Sequence, residues 1–143
     1  MNDIYYMKKA LKEAKKAAIL GDVPIGCIIV KEDHIKSSAH NQKEIDNIAT
    51  HHAEVLAINK ACQQLKTWHL EECILYTTVE PCMMCTGAII QSRISKVVYG
   101  TSNNTFGYLN KISNSKINIV PNILEEDCKN ILSTFFKEKR NHE

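Results

Sequence analysis

The order of strand-like and helix-like segments constrains the fold of this chain more than any other feature. After one amphipathic helical segment, two apolar or alternating runs at residues 25–30 and 34–40 are separated by Glu32-Asp33, which predicts a β-hairpin. Helical and strand patterns then alternate toward the C-terminus. A hairpin followed by this alternation predicts an α/β domain with a mixed sheet and helices on both faces.

The predicted helices cover residues 3–20, 52–65, 81–91 and 124–139, and the predicted strands cover residues 25–30, 34–40, 73–79, 96–99 and 117–120. Residues 41–50 and 101–116 are mostly polar, and we expect loops there, with one helical turn around residues 108–112. No repeat or linker-like stretch interrupts the series. The pattern therefore predicts a single domain over residues 1–143.

Composition and charge exclude several classes of protein. The chain is 44% hydrophobic and 24% charged, which is ordinary for a globular protein and excludes a fibrous or wholly disordered one. No apolar run reaches the ~20 residues of a membrane-spanning helix, and the first residues do not resemble a signal peptide. The net charge of +2 neither requires nor excludes a nucleic acid partner. We expect a cytoplasmic protein with no membrane segment and with reduced cysteines.

Two of the six cysteines have the spacing of metal ligands. Cys82 and Cys85 are separated by two residues at the start of the helix predicted after Pro81, so their side chains share one face of that helix. His52 begins another predicted helix and adds a nitrogen ligand. Three ligands are one fewer than a structural zinc site has, and the open fourth position is typical of catalytic zinc, which lowers the pKa of a bound water toward ~7. The other four cysteines, Cys27, Cys62, Cys73 and Cys128, have the pattern of small buried side chains.

Glu54 follows His52 by two residues, so both side chains can face one cavity. Zinc-bound hydroxide needs an acid–base group that is not itself a ligand, and Glu54 is the candidate. His-x-Glu followed by Pro-Cys-x-x-Cys is the signature of zinc deaminases, which act on a base taken out of its stack. The alternative is a structural zinc site with His51 or His69 as a fourth ligand, which leaves Glu54 and Pro81 unexplained. We expect His51, His40 and His69 to be bystanders, and His34 and His142 to face solvent.

Longer stretches of the sequence resemble one family closely. They are Val23-Pro24-Ile25-Gly26, Ala39-His40-Asn41, His52-Ala53-Glu54, and the run from Glu80-Pro81-Cys82 through Ile90-Gln91-Ser92-Arg93-Ile94. On these motifs the chain resembles the bacterial tRNA-specific adenosine deaminases, within the cytidine deaminase-like superfamily, over residues 1–100 and about 123–140. The zinc motif is common to the superfamily, whereas the first and last of these stretches are typical of the tRNA enzymes.

The resemblance implies a three-layer α/β/α cytidine deaminase-like fold with a five-stranded sheet. It implies hydrolytic deamination of the wobble adenosine in the anticodon loop of an arginine tRNA to inosine. One Zn²⁺ per subunit would supply the hydroxide that attacks C6, and Glu54 would shuttle the proton. It also implies a homodimer, in which Met83, Met84 and Ile89 suit a subunit contact, with core packing as the alternative for these three residues.

The resemblance also implies residue roles around the substrate. Asn41 would hydrogen-bond the base, Ile25 and Gly26 would form the pocket wall, and the backbone N–H of Ala53 would contact the base edge. Asn41 could instead cap a turn, and Ile25 could be ordinary strand core. The implied RNA contacts, to phosphates or to a flipped-out base, are Phe136, Lys137, Lys139 and Arg140.

Residues 101–116 depart from the family pattern. The segment is several residues shorter than in the family and lacks its basic residue and its Asn-His pair, in a region that touches the anticodon loop there. Lys43 also stands where arginine is common, and His51 where a small residue is usual. A second hypothesis is therefore a zinc deaminase of a free base or nucleoside, such as cytosine or guanine, or of another nucleic acid. A third is a non-catalytic, zinc-stabilised RNA-binding module.

Overall fold

The described part of the chain contains five strands and five α-helices, and the computed structural model describes residues 2–112 and 116–141. The helices are α1 (Asp3–Ile19), α2 (Lys43–Asp46), α3 (Ala53–Leu65), α4 (Met83–Gln91) and α5 (Glu125–Asn141). The strands are β1 (Gly26–Lys31), β2 (His34–His40), β3 (Cys73–Val79), β4 (Lys96–Thr101) and β5 (Asn118–Val120), and a 3₁₀ turn covers Leu109–Lys111. His142 and residues 113–115 of the predicted loop lie outside the described residues.

The strands form one mixed sheet in the order β2-β1-β3-β4-β5. Strand β1 is antiparallel to both β2 and β3, whereas β3, β4 and β5 are parallel to one another. Parallel neighbours need a crossover connection, and α4 provides it between β3 and β4. The predicted mixed five-stranded sheet is confirmed.

Helices cover both faces of the sheet, because alternate strand residues point to opposite sides. Ile28 of β1 belongs to a buried cluster with α1 and α5, and Ile29 belongs to a second cluster with α3 and α4. The predicted three-layer α/β/α arrangement is confirmed. Among the described residues, no helix has the length and apolar character needed to cross a membrane.

Helix α4 presents its residues differently from the expectation for a subunit contact. Ile89 is fully buried and packs in the cluster between α4 and the sheet, so its assignment to a subunit contact is wrong and the core alternative holds. Met83 is 65% exposed and Met84 36% exposed, and the neighbouring Ile90 is also exposed. The outward face of α4 therefore carries apolar side chains that no described residue covers.

Residues 43–46 form α2 where the polar pattern predicts a loop. The helix depends on Asp22, which is fully buried and lies just after α1. Its Oδ2 accepts hydrogen bonds from the backbone N–H of Glu44 at 2.9 Å and of Ile45 at 3.2 Å. A carboxylate some twenty residues away thus satisfies the first N–H groups of the helix, which is a contact that local sequence pattern does not report.

Candidate metal centre and active site

The three predicted metal ligands meet at the ends of two helices. His52 is the N-cap residue of α3, Cys82 is the N-cap residue of α4, and Cys85 lies in the first turn of α4. The His52 Nδ1 atom lies 3.7 Å from the Cys82 Sγ atom and 3.6 Å from the Cys85 Sγ atom. All three ligand atoms lie within 4.8 Å of one another. The structure therefore brings together residues that are about thirty positions apart in the chain.

The geometry and chemistry of this group fit a zinc ion. Zinc accepts thiolate and imidazole ligands, and its usual bond lengths in a tetrahedral site separate a sulfur from a nitrogen by roughly 3.6 Å. Among the described residues, no other His, Cys, Asp or Glu joins the group. His51 is 2.6 Å from Asp46, and His69 stacks on Trp68, so neither supplies the fourth ligand of a structural site. The group leaves one position open, as a catalytic site does.

A hydrogen bond links the two thiols and moves their pKa values in opposite directions. The hydrogen bond from the Cys85 thiol lowers the pKa of Cys82 to about 3, with His52 as a second contributor. The same hydrogen bond and the burial of Cys85 raise the pKa of Cys85 far above its usual value. The arrangement therefore favours the thiolate form of Cys82, and a metal that bound both sulfur atoms would require Cys85 to lose its proton as well.

Glu54 is a buried carboxyl beside the ligand group but outside it. Only 4% of its surface is exposed, and it lies in the first turn of α3 two residues after His52. Burial raises the pKa of Glu54 to about 7. A carboxyl group whose pKa is near neutrality can both accept and deliver a proton, which is the requirement for a general acid–base group.

Asn41 connects the end of β2 to the start of α3. Its side-chain Oδ1 accepts a hydrogen bond from the backbone N–H of Ala53 at 2.9 Å, and it is buried. The same residue lines the cavity, and its NH₂ group has no hydrogen-bond partner among the described residues. Asn41 therefore combines the capping role with a free donor, while the Ala53 N–H predicted to contact a base is already bonded in this structure.

These residues surround a cavity of about 730 Å³. Of the residues predicted from the sequence, the cavity is lined by Ile25, Asn41, His52, Glu54, Cys82 and Phe136. Ala53 and Cys85 are fully buried at its edge. The basic residues of α5 predicted to contact RNA, Lys137, Lys139 and Arg140, are exposed and lie outside the lining.

The structure does not place Gly26 at the cavity wall. A Cβ atom at this position would lie 1.9 Å from the backbone oxygen of Ala10 and 2.6 Å from the backbone nitrogen of Ala14, so the residue faces α1. Its glycine is required by the close approach of α1 to β1. Gly26 therefore has a packing role against α1 and its neighbour Ile25 lines the cavity, while contact of Gly26 with a substrate stays a prediction.

The sequence patterns do not predict one wall of the cavity. This wall consists of residues 102–106, which follow β4, and it is fixed by Glu80. The buried Glu80 carboxylate accepts the backbone N–H of Asn103 at 3.2 Å and of Asn110 at 3.3 Å. The available signal is a carboxylate between the apolar strand β3 and Pro81, because buried carboxylates need partners. The cavity is also lined by residues that the sequence patterns do not single out for this role, namely Asp22, Val23, Lys43, Glu44, Val79 and Leu132.

Comparisons with known proteins agree with this geometry. The sequence profile of the MafB19-like deaminase family matches residues 1–140. A tRNA-specific adenosine deaminase of Bacillus subtilis is 44% identical over 146 residues, which covers 96% of this chain and 91% of that protein.

Two solved structures are also similar. A structure from work on A-to-I editing by tRNA:A34 deaminases at the wobble position of transfer RNA matches with a TM-score of 0.85 at 29% identity, covering 90% of this chain and 99% of that one. A guanine deaminase of Bacillus subtilis matches with a TM-score of 0.71 at 36% identity, covering 80% of this chain and 78% of that one.

Proposed function

Because the chain belongs to the tRNA-specific adenosine deaminase family, among the MafB19-like deaminases, we propose that it converts the wobble adenosine of a tRNA anticodon loop to inosine. The observation that carries this proposal is the buried Glu54 carboxyl beside the His52, Cys82 and Cys85 group, at the wall of a cavity of about 730 Å³. Deamination of a base requires such a cavity, since the reacting atom is inaccessible inside a stacked duplex.

The metal would be held by His52, Cys82 and Cys85, with one ion per subunit. When bound, zinc supplies a Lewis acid that makes water nucleophilic at neutral pH. Glu54 accepts the proton that water loses as its oxygen bonds to C6 of adenine. Glu54 then returns a proton to the amino nitrogen, which leaves as ammonia when the C6–N bond breaks. Because Glu54 is not a ligand, its carboxylate remains free for both transfers.

Asn41 and Ile25 would orient the base. The Asn41 NH₂ group is free to donate to a ring nitrogen or oxygen, while its Oδ1 atom is engaged by Ala53. Ile25 is half-buried and offers an apolar surface to the face of the base. A base contact by the Ala53 N–H would require the Asn41 bond to be shared. Because the Ala53 bond uses the Oδ1 atom and not the NH₂ group, loss of the donor alone should lower turnover more than it lowers the free energy of unfolding.

The RNA itself would extend over the exposed end of α5. Phe136 lines the cavity and is 41% exposed, and three exposed basic residues follow it on the same helix, Lys137, Lys139 and Arg140. Basic side chains next to the cavity suit the phosphates that flank a base inserted into it. An arginine tRNA is the proposed substrate.

The experiment is an inosine assay on an anticodon stem-loop with adenosine at the wobble position. Zinc-loaded protein is compared with Glu54→Ala, and inosine and bound zinc are both quantified. We expect inosine from the parent, and Glu54→Ala should keep its zinc while turnover falls by roughly 10²- to 10⁴-fold. Zinc loss in Glu54→Ala would show that this residue helps to hold the metal, and full activity would exclude it as the proton shuttle.

A free base is the second candidate substrate. The uncharged wall at residues 102–106 favours it, since that wall offers no cation for a phosphate, and the guanine deaminase of similar fold is named for such a substrate. The same catalytic residues would act on it. Saturation by guanine or cytosine, with a rate that changes little between low and high salt, would support this candidate over an RNA substrate.

A further inference from the structure

The mouth of the cavity carries an exposed aromatic ring in the segment that departs from the family. Phe106 follows β4, lines the cavity, and is 71% exposed. Among the described residues, it makes no contact with another aromatic ring or with a cation. An apolar ring this exposed at the entrance of a site is typical of a surface that binds something.

Hydrogen bonds hold the backbone of Phe106, although its ring stacks on no other ring among the described residues. Its N–H donates to the Oδ1 atom of Asn103 at 3.0 Å, and the N–H of Gly107 donates to the Asn103 carbonyl at 2.9 Å. Glu80 accepts a hydrogen bond from the Asn103 N–H, and a Cβ atom at Gly107 would lie 2.6 Å from the Glu80 Oε1 atom. The turn is therefore locked to the strand end that leads into Cys82, and it presents the ring at a defined position.

The chemistry of this wall suits a base rather than a phosphate. Residues 102–110 contain amides, hydroxyls and two aromatic rings but no charged side chain. Stacking on an aromatic ring needs no charge and accepts any base, because every base has a π face. A second ring, that of Phe136 on α5, lines the same cavity from another element and is also exposed.

We propose that Phe106 forms the stacking surface of a second base subsite at the mouth of the cavity, for a nucleotide next to the target adenosine. This proposal rests on the proposed function, since only a polynucleotide has such a neighbour. When the target base leaves the stack, its neighbour loses a stacking partner, and the Phe106 ring replaces that partner. The subsite holds the RNA by stacking, since residues 102–110 around Phe106 carry no basic side chain.

The test compares Phe106→Ala with Phe106→Tyr on three stem-loops. One is intact, and the others carry an abasic nucleotide on the 5′ or the 3′ side of the wobble adenosine. Both inosine formation and the stem-loop Kd are measured on zinc-loaded protein. Tyr5→Ala, which removes an exposed aromatic ring on α1 outside the cavity lining, is the matched control.

On the intact stem-loop, we expect Phe106→Ala to weaken binding or kcat/KM by roughly 5- to 100-fold, whereas Phe106→Tyr and Tyr5→Ala retain the parent values. On one of the two abasic stem-loops, the parent should lose the same factor and Phe106→Ala should lose nothing further. That non-additivity would not arise from a merely structural role of Phe106.

Three results would overturn the subsite. The first is an equal loss of affinity or kcat/KM by Phe106→Ala on all three stem-loops, and the second is no loss on the intact stem-loop. The third is a smaller oligomer for Phe106→Ala in light scattering, which would assign the ring to a contact between copies of the chain. The Kd separates this proposal from the proposed function. If the parent binds the stem-loop with the expected base dependence but makes no inosine, the subsite stands and the proposed reaction fails. If the parent does not bind the stem-loop, both fail.

Discussion

The two candidate ligand cysteines, Cys82 and Cys85, differ from Cys62 in what surrounds their thiols. The Cys82 and Cys85 thiols are hydrogen-bonded to each other and lie beside His52, whereas Cys62 is half-buried on α3 and joins no such group among the described residues. Metal binding to a folded site adds to the free energy of unfolding, since the unfolded chain has no such site. Removing a ligand should therefore reduce metal content and stability together.

We predict that Cys82→Ala and Cys85→Ala purify without stoichiometric zinc and unfold at a lower temperature than the zinc-loaded parent. The decrease should be roughly 10 °C when the parent binds metal at 1,000 times its Kd. Metal analysis and thermal denaturation, with and without a chelator, measure both effects. Cys62→Ala serves as the control and should keep its zinc, and unchanged metal in the two ligand variants would refute the assignment.

Asn41 has two separable roles at the level of single atoms. Its Oδ1 atom caps α3 through the Ala53 N–H, and its free NH₂ group faces the cavity. Asn41→Ala should lose both, at a cost of about 1 kcal/mol in the free energy of unfolding. Asn41→Asp should keep the acceptor and most of the stability but lose the donor and, with it, turnover. Chemical denaturation and the inosine assay measure the two roles, and full activity of Asn41→Asp would show that the donor is not used.

At the scale of the elements, the wall at residues 102–106 depends on Glu80. The carboxylate accepts two backbone N–H groups, those of Asn103 and Asn110, and so closes the segment against the end of β3. Hydrogen bonds to a charged group contribute ~1.5–3 kcal/mol, so their loss should open this segment locally.

We predict that Glu80→Ala increases amide hydrogen exchange at Asn103 and Asn110 by roughly ten- to a hundredfold, while the exchange of α3 changes little. The variant should raise KM for the stem-loop more than it lowers kcat. Glu72→Ala, which removes an exposed carboxylate just before the first residue of β3, is the control. Equal exchange in the parent and in Glu80→Ala would show that other contacts hold this wall.

The helices and strands differ in how far the sequence alone predicts them. The hairpin, the strand alternation and the helix starts near His52 and Cys82 were predictable because they depend on local periodicity and, for the second helix, on Pro81 at its first turn. Helix α2 and the role of Gly26 were not predictable, because each depends on a partner distant in sequence: the Asp22 carboxylate and the backbone of α1. The ligand group was predictable because motif spacing encodes it, whereas the Glu80 wall has no such motif.

At the scale of the whole molecule, the outward face of α4 is an exposed apolar surface. Met83, Met84 and Ile90 are exposed there, immediately beside the helix start that carries Cys82. We expect a homodimer that buries this face, as the family resemblance implies. Light scattering should give twice the mass of the chain for the parent and the monomer mass for Ile90→Lys. Ile19→Lys, which changes an exposed isoleucine on α1, is the control, and a monomeric parent would contradict this expectation.

In the proposed function, one buried proton shuttle, one metal group and one cavity serve the deamination of adenosine in RNA. The most direct measurement compares the zinc-loaded protein on an arginine tRNA with adenosine at the wobble position against free guanine, cytosine and adenosine. We predict inosine at the wobble position, formed at a rate that falls steeply with added salt, and no detectable inosine from Glu54→Ala. Ammonia release from a free base, with no inosine in the tRNA, would contradict it.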